Sequence, residues 1–490
     1  MASIDAQAAP ADKPLAIASF NIRVPGIAVV ISLFGIAAIA RLLLASLDGF
    51  GVDMGTFRGW SDRLANDGPW NFYDQDFFSD YSPGYMYVLW LIGELNQIFH
   101  FSNDQYEYIL KLPSIIADLG GAYLLYRMLD KEKPWLQLGA TVLYLLFPAA
   151  LLVGAFWGQV DSILSFFLLL SVYFIGRDRP VAGAVAFAIG FIIKPQAIAA
   201  LPFLAFWIIR RHPLNLKGGE FPIPRVLIEC TAYPLVVIFI LILPFFTTAP
   251  WDLFAQLQSA TTVDNYEVNS FWAYNFWNAG GLSDLGFRCD LPSACPDSEA
   301  TKWLGMPTRY WGFAFFGLAI AAILYIFRNA KGYGFLALGV GMSIMAFYMF
   351  TTRMHERYVF PAFLPLLLGV ALLHSRVLWA AFITTATVHF LNLYHVFGYY
   401  YLFNAEEEGN YPRWTRVDWL YDKVLEANVS FLGLDNILGW AIGVGEGPGR
   451  HVEAVQLWSI ILLFSFLAMF PAAYFLAETR RDREKPLEGT

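Results

Sequence analysis

The first long apolar run of this sequence extends from about Val24 to Ala45, with one arginine inside it. About eleven more runs of similar character follow, at roughly 112–129, 136–154, 160–176, 180–193, 197–210, 226–246, 308–328, 333–351, 358–374, 377–397 and 454–476. Segments of this length have one common fate. In a bilayer every backbone polar group needs an internal partner, so a chain built from them folds as helices. Composition agrees: 57% of the residues are hydrophobic, 17% aromatic and only 15% charged, with a mean hydropathy of +0.50. The expected class is an all-α polytopic integral membrane protein with about twelve transmembrane helices. A formal charge of −8 leaves no basic field for a nucleic acid.

The first stretch, before residue 24, is polar and Ala-rich. The run after Arg23 is long enough to span, so it reads as a retained helix and not a cleaved signal. The break at Lys194-Pro195, where proline cannot continue a helix, makes 180–210 either one broken helix or two short helices, and the charge pattern favours two. With two helices there, "RMLDKEKP", "GRDRP", "RRHPLNLKGG", "RNAKG", "HSR" and "ETRRDREK" all fall on one side. Positive charge in short loops marks the cytoplasmic side, so both termini are expected there. The division that follows is a cytoplasmic segment 1–23, a seven-helix module 24–246 with a large outer loop 47–111, and an outer loop 247–307. After these come further helices over 308–476, with an outer loop 398–452, and a cytoplasmic tail 477–490. "SPGYMYVLWLIGELNQIF" cannot span without inverting the charge pattern, and reads as an interfacial helix.

Chemistry is expected on the outer face. In "GVDMGTFRGW", Asp53 follows the first span closely among glycines and apolar residues, where a carboxylate can serve as a general base toward a hydroxyl. Asp62 and Asp67, later in that segment, read as solvated loop acids. In "DYSPGY", Ser82 and Pro83 look like a helix start, with Asp80 and Tyr81 beside it. "FWGQVDS" sets Trp157, Gln159 and Asp161 at a helix junction. Asp161 either caps the next helix or stands at the mouth of a membrane cavity. Lys194 either snorkels to the interface or meets an anion at the helix break. "TTRMHERY" is the densest cluster: Arg353, His355 and Arg357 suit a phosphate, and Glu356 is placed to orient His355 or an arginine. One His among arginines is a poor metal ligand set. The aromatic segments "NSFWAYNFWN" and "YYYLFNAEEEGNYPRW" fit either an interfacial belt or a surface on which a sugar stacks.

Cys230 reads as an inert apolar residue, and Cys289 and Cys295 as either a local disulfide or two free thiols. Asn428 begins an outer-side sequon, "NVS". The short loops and compact chain favour a bacterial inner membrane over the endoplasmic reticulum.

The ordered set "GVDMGTFRGW", "DYSPGY", "KLPSIIADL", "FWGQVDS", "KPQA" and "RMHERYVFP" resembles the motifs of GT-C membrane glycosyltransferases. It is most similar to bacterial mannosyltransferases related to the second mannosyltransferase of GPI-anchor synthesis. The resemblance covers most of 24–397. It implies the GT-C fold and a polyprenyl- or dolichyl-phosphate-linked sugar donor. It also implies an acceptor hydroxyl on a glycolipid, glycan or protein. Asp53 takes the position of the catalytic base, and Arg353, His355 and Arg357 that of the donor-phosphate contacts, with Lys194 beside them. Arg58, Asp80, Tyr81, Trp157, Gln159, Asp161 and Glu356 are then expected around the substrate. The paired acids of metal-using relatives have no counterpart, since Asp53 stands between Val52 and Met54, so no metal cofactor is expected. Two other readings fit the sequence less closely: a lipid-linked sugar transporter or flippase, and a non-catalytic subunit of a glycosyltransferase complex.

Overall fold

The computed structural model describes residues 26–73, 78–214, 223–246, 268–281, 302–408 and 448–484. Cys289, Cys295, Asn428 and most of 398–452 lie outside the described residues.

Fourteen helices carry the architecture among the described residues. The first five are α1 (Ile27–Ala45), α2 (Gly51–Asp67), α3 (Pro83–Phe99), α4 (Asn103–Met128) and α5 (Pro134–Leu145). A π-helical segment, Leu151–Trp157, extends α5 past the break at Pro148. Then come α6 (Asp161–Gly176), α7 (Pro180–Ile193), α8 (Leu201–Arg211) and α9 (Arg225–Ile242). The last five are α10 (Thr308–Ile326), α11 (Tyr333–Phe350), α12 (Phe363–Leu373), α13 (Arg376–Glu408) and α14 (Pro448–Glu484). Eight helical segments are long and apolar enough to cross a membrane, and three shorter apolar helices lie at 161–176, 180–193 and 360–373.

Several boundaries differ from those expected. The run expected to begin at 112 is helical from Asn103, because Ser102 and Gln105 form a reciprocal capping box that starts α4 earlier. Likewise α13 and α14 run to Glu408 and from Pro448, beyond their apolar parts. The aspartate-rich "loop" after the first span is itself the helix α2, which corrects Asp62 and Asp67 as loop acids; Asp62 accepts a hydrogen bond from the Tyr106 hydroxyl at 2.8 Å. Among the described residues, four two-residue strands interrupt the all-helical pattern. Ser270–Phe271 (β1) pairs in parallel with Met354–His355 (β4), and Lys302–Trp303 (β2) pairs antiparallel with Met306–Pro307 (β3).

Burial separates the helices by role. Almost all of α11 is enclosed, while α1 and α9 expose most of their apolar surface. With no water in hydrocarbon, such all-round apolar faces suit contact with lipid chains. The helix α3 lies against α2, where Ser61 donates to the Leu89 carbonyl at 2.6 Å. At its start a Cβ on Gly84 would stand 2.6 Å from the Ile192 carbonyl carbon, so only glycine lets α3 approach the end of α7 this closely.

Lys194 interrupts the chain between α7 and a 3-10 turn, Pro195–Ala200, and α8 then returns toward the start of α7. Arg211 there lies 3.8 Å from Asp178, and Arg210 donates to the carbonyls of Phe327 and Ala330, each at 2.5 Å. Arg328 with Glu478 and His374 with Glu132 continue the same end of the bundle. The basic loops therefore share one end, and the motif residues meet at the other.

Candidate active site

Asp53 is the third residue of α2, where the unpaired N–H groups of a helix start favour a negative charge. Its Oδ2 accepts two hydrogen bonds from the 157–159 junction: Trp157 Nε1 at 2.7 Å and Gln159 Nε2 at 2.5 Å. The Gln159 amide is oriented by its other end, since its Oε1 accepts from the Tyr81 hydroxyl at 3.0 Å. Phe50 stacks on the Trp157 ring with centroids 4.8 Å apart. The turn itself depends on Gly158, at φ 89°: a Cβ there would stand 2.5 Å from the Met54 methyl. Tyr81, Trp157 and Gln159, expected around the substrate, thus serve first to hold Asp53.

A second group closes over this one from the 351–358 turn. Arg357 lies 5.7 Å above the Trp157 ring and 2.8 Å from Glu356. Glu356 and Asp53 keep its guanidinium charged against the opposing effect of burial. Glu356 therefore orients an arginine, one of its two expected partners. His355 departs from the expected cationic trio. Burial first, then Arg357 and Lys194, push its pKa well below the usual imidazole range. It is a neutral ring packed on Phe271 at 4.5 Å, able to exchange a hydrogen bond and not a charge. Arg353 enters through its main chain: at φ 66° it donates its N–H to the Val268 carbonyl at 3.0 Å.

Lys194 is buried, which excludes snorkelling, and its Nζ lies 2.8 Å from Asp161 Oδ1. The ammonium also faces the rings of Tyr358 at 5.2 Å and Tyr81 at 5.8 Å. Asp161 is not a cap: Val160 holds that position with no side-chain bond, and Asp161 is wholly buried in the first turn of α6. Removing one partner of such a pair leaves an uncompensated buried charge. Lys194→Met is therefore expected to destabilise the fold by about 3–5 kcal/mol, and adding Asp161→Asn to restore most of it. Thermal unfolding of the three proteins in detergent checks this; equal midpoints would refute it.

Asp80 lies within electrostatic reach of Arg357, Asp53 and Lys194. Burial raises its pKa to about 6, and Arg357 opposes the rise. Arg58 is not in the assembly. It donates to Asn103 at 2.6 Å and lies 5.2 Å over the Tyr106 ring, a turn further along α2.

Of the aromatic residues in "NSFWAYNFWN", Phe271 and Phe276 alone keep part of their surface exposed. Trp272, Tyr274 and Trp277 are buried, Trp277 donating to the Phe350 carbonyl at 2.9 Å and Tyr274 bonding His395 at 2.8 Å. Tyr358, in the same turn as Arg357, is a site residue that the sequence alone does not mark. Its place between Lys194 and Arg357 depends on helices far apart in sequence. Among the described residues, no group of three His, Cys, Asp or Glu side chains is arranged to hold a metal ion.

The chain has the GT-C fold of polytopic membrane proteins. It resembles the crystal structure of ArnT from Cupriavidus metallidurans in the apo state with a TM-score of 0.50 and 14% sequence identity, over 92% of this chain and 78% of that one. The same protein bound to undecaprenyl phosphate gives a TM-score of 0.49 at 14% identity, over 93% of this chain and 79% of that one. No family model matches the sequence, and neither does any curated protein.

Proposed function

We propose that this protein is an inverting membrane glycosyltransferase. It transfers a hexose, mannose in the first instance, from a polyprenyl-phosphate-linked donor to an acceptor hydroxyl on the extracytoplasmic face of a bacterial inner membrane. One observation carries the reading: an acid fixed by two hydrogen bonds, Asp53, lies within electrostatic reach of two cations, the partly buried Arg357 and the buried Lys194. The fold is shared with ArnT, a protein crystallised with undecaprenyl phosphate.

The chemistry is one displacement. Asp53 takes the proton of the acceptor hydroxyl as its oxygen bonds the anomeric carbon. The bond from that carbon to the phosphate oxygen breaks, and the lipid phosphate leaves with the electron pair. Arg357, with Lys194 behind it, stabilises the charge that develops there. Inversion follows from the single step. The residues need no metal for this, so transfer is expected to persist in EDTA.

The test is transfer from radiolabelled polyprenyl-phosphate-mannose and -glucose to acceptors in a membrane extract. Release of polyprenyl phosphate is counted in parallel. Label transfer with stoichiometric lipid phosphate supports the reading and names the sugar. Movement of the donor across the bilayer without its consumption would refute it in favour of lipid transport.

Asp80 gives donor binding a pH dependence. Below about pH 6 its carboxyl is neutral; above, its charge competes with the donor phosphate for Arg357 and Lys194. A phosphodiester stays singly charged throughout. The donor Kd is therefore expected to rise as pH increases from 5 to 7.5, and Asp80→Asn to flatten the profile. An unchanged profile in Asp80→Asn would assign the dependence elsewhere.

A further inference from the structure

The helix α4 contributes no direct hydrogen bond to Asp53, yet one of its faces carries a column of polar side chains. Lys111, Ser114 and Asp118 recur at i, i+3 and i+7, and Glu107 stands one turn before them. Each bonds a different segment that converges on Asp53.

Lys111 Nζ donates to the carbonyls of Ala45 at 3.3 Å and Leu47 at 2.5 Å, the last groups of α1 and the residues leading out of it. A cation at a helix C-terminus satisfies carbonyls that have no partner within the helix. Glu107, 3.0 Å from that ammonium, accepts from the Gly49 N–H. The two side chains thus hold both polar types of the 45–49 backbone, four residues before Asp53. Ser114 donates to the main-chain carbonyl of Gln159 at 2.7 Å, fixing the other side of the Asp53 hydrogen bonds. Asp118 accepts from Arg41 at 3.3 Å and from Tyr144 at 2.9 Å, and Arg41 in turn donates to the Leu145 carbonyl at 2.9 Å, where α5 ends. One ion pair inside the helix bundle so ties α1, which leads to Asp53, to α5, which leads to Trp157.

We propose that this face of α4 is a positioning spine: Lys111, Ser114 and Asp118 set the separation between the start of α2 and the 157–159 junction, and so the placement of Asp53 against its two donors. None of the three is a catalytic residue. The motif "KLPSIIADL" thereby acquires a role in aligning the site.

The catalytic readout rests on the proposed glycosyl transfer; the second readout does not. Ser114→Ala removes one hydrogen bond and little volume. It is expected to lower kcat by about fivefold to tenfold while the donor Kd stays within about twofold, and Ser114→Thr to restore kcat. Independently, Asp53→Cys, in a background whose three native cysteines are alanine, reports the position of residue 53. Its rate of reaction with a membrane-impermeant maleimide is expected to change at least about threefold when Ser114→Ala or Lys111→Met is added. Unchanged labelling rates in both backgrounds would overturn the proposal. A Ser114→Ala protein that loses kcat and donor affinity together, in step with its melting temperature, would also overturn it. If the wild-type protein consumes no donor, glycosyl transfer fails and the labelling rates still decide the spine.

Discussion

Asp53→Asn is expected to reduce sugar transfer by about a thousandfold or more while leaving donor binding within a fewfold of wild type. General base catalysis accounts for about 10²–10⁴ in rate. The substitution also keeps the shape that Trp157 and Gln159 grip at 2.7 and 2.5 Å. One amide contact is lost in quality, because two donors face what had been a pure acceptor. The measurement is single-turnover transfer from labelled donor alongside equilibrium binding of the same donor. Full activity in Asp53→Asn would remove the base from the mechanism and direct attention to Asp80. Loss of binding together with transfer would mean that Asp53 organises the site and does not act on the acceptor.

Arg357→Ala is the other substitution with a large consequence, and it acts on two quantities at once. In the proposed displacement, the charge developing on the departing phosphate would lose one of its two fixed cations, worth about 10²–10³ in kcat. The same change leaves Glu356, 1% exposed, with its main partner gone. Truncating one side of a buried pair costs about 3–5 kcal/mol of stability. Adding Glu356→Gln separates the effects: the double variant is expected to recover most of the thermal midpoint and none of the rate. Recovery of both would make Arg357 a structural partner of Glu356 alone.

What the sequence reveals about this site divides along the range of the interactions. The helices are legible because each apolar run decides its own fate in a bilayer, and the break at Lys194-Pro195 because proline acts locally. The capping box at Ser102 and Gln105 was equally local, and could have placed the start of α4 correctly. Asp53 and the 353–357 turn stand out because charge near a membrane exit is unusual. Which partner each residue chooses is another matter. Trp157 reaches Asp53 across 104 positions and Arg41 reaches Asp118 across 77. Asp161 could by its spacing cap a helix or face a cavity, and packing makes it an ion-pair partner. The aromatic segment at 269–278 fitted an interfacial belt or a sugar surface by composition, and packing buries three of its five rings. Burial is a property of the assembled bundle, and composition alone does not report it.

The pairing of Arg357 with Glu356 and of Lys194 with Asp161 has a consequence for turnover. In the proposed reaction both cations would meet the incoming donor already matched to a carboxylate, and Asp53 adds one more negative charge nearby. An anionic lipid entering such a site shares its cations instead of claiming them. Its spent form, carrying up to one further charge, meets stronger repulsion from the same acids. Under the proposed function, the arrangement would trade tightness of capture for ease of departure, so that a lipid phosphate leaving into the membrane would not be retained as an inhibitor of the next cycle.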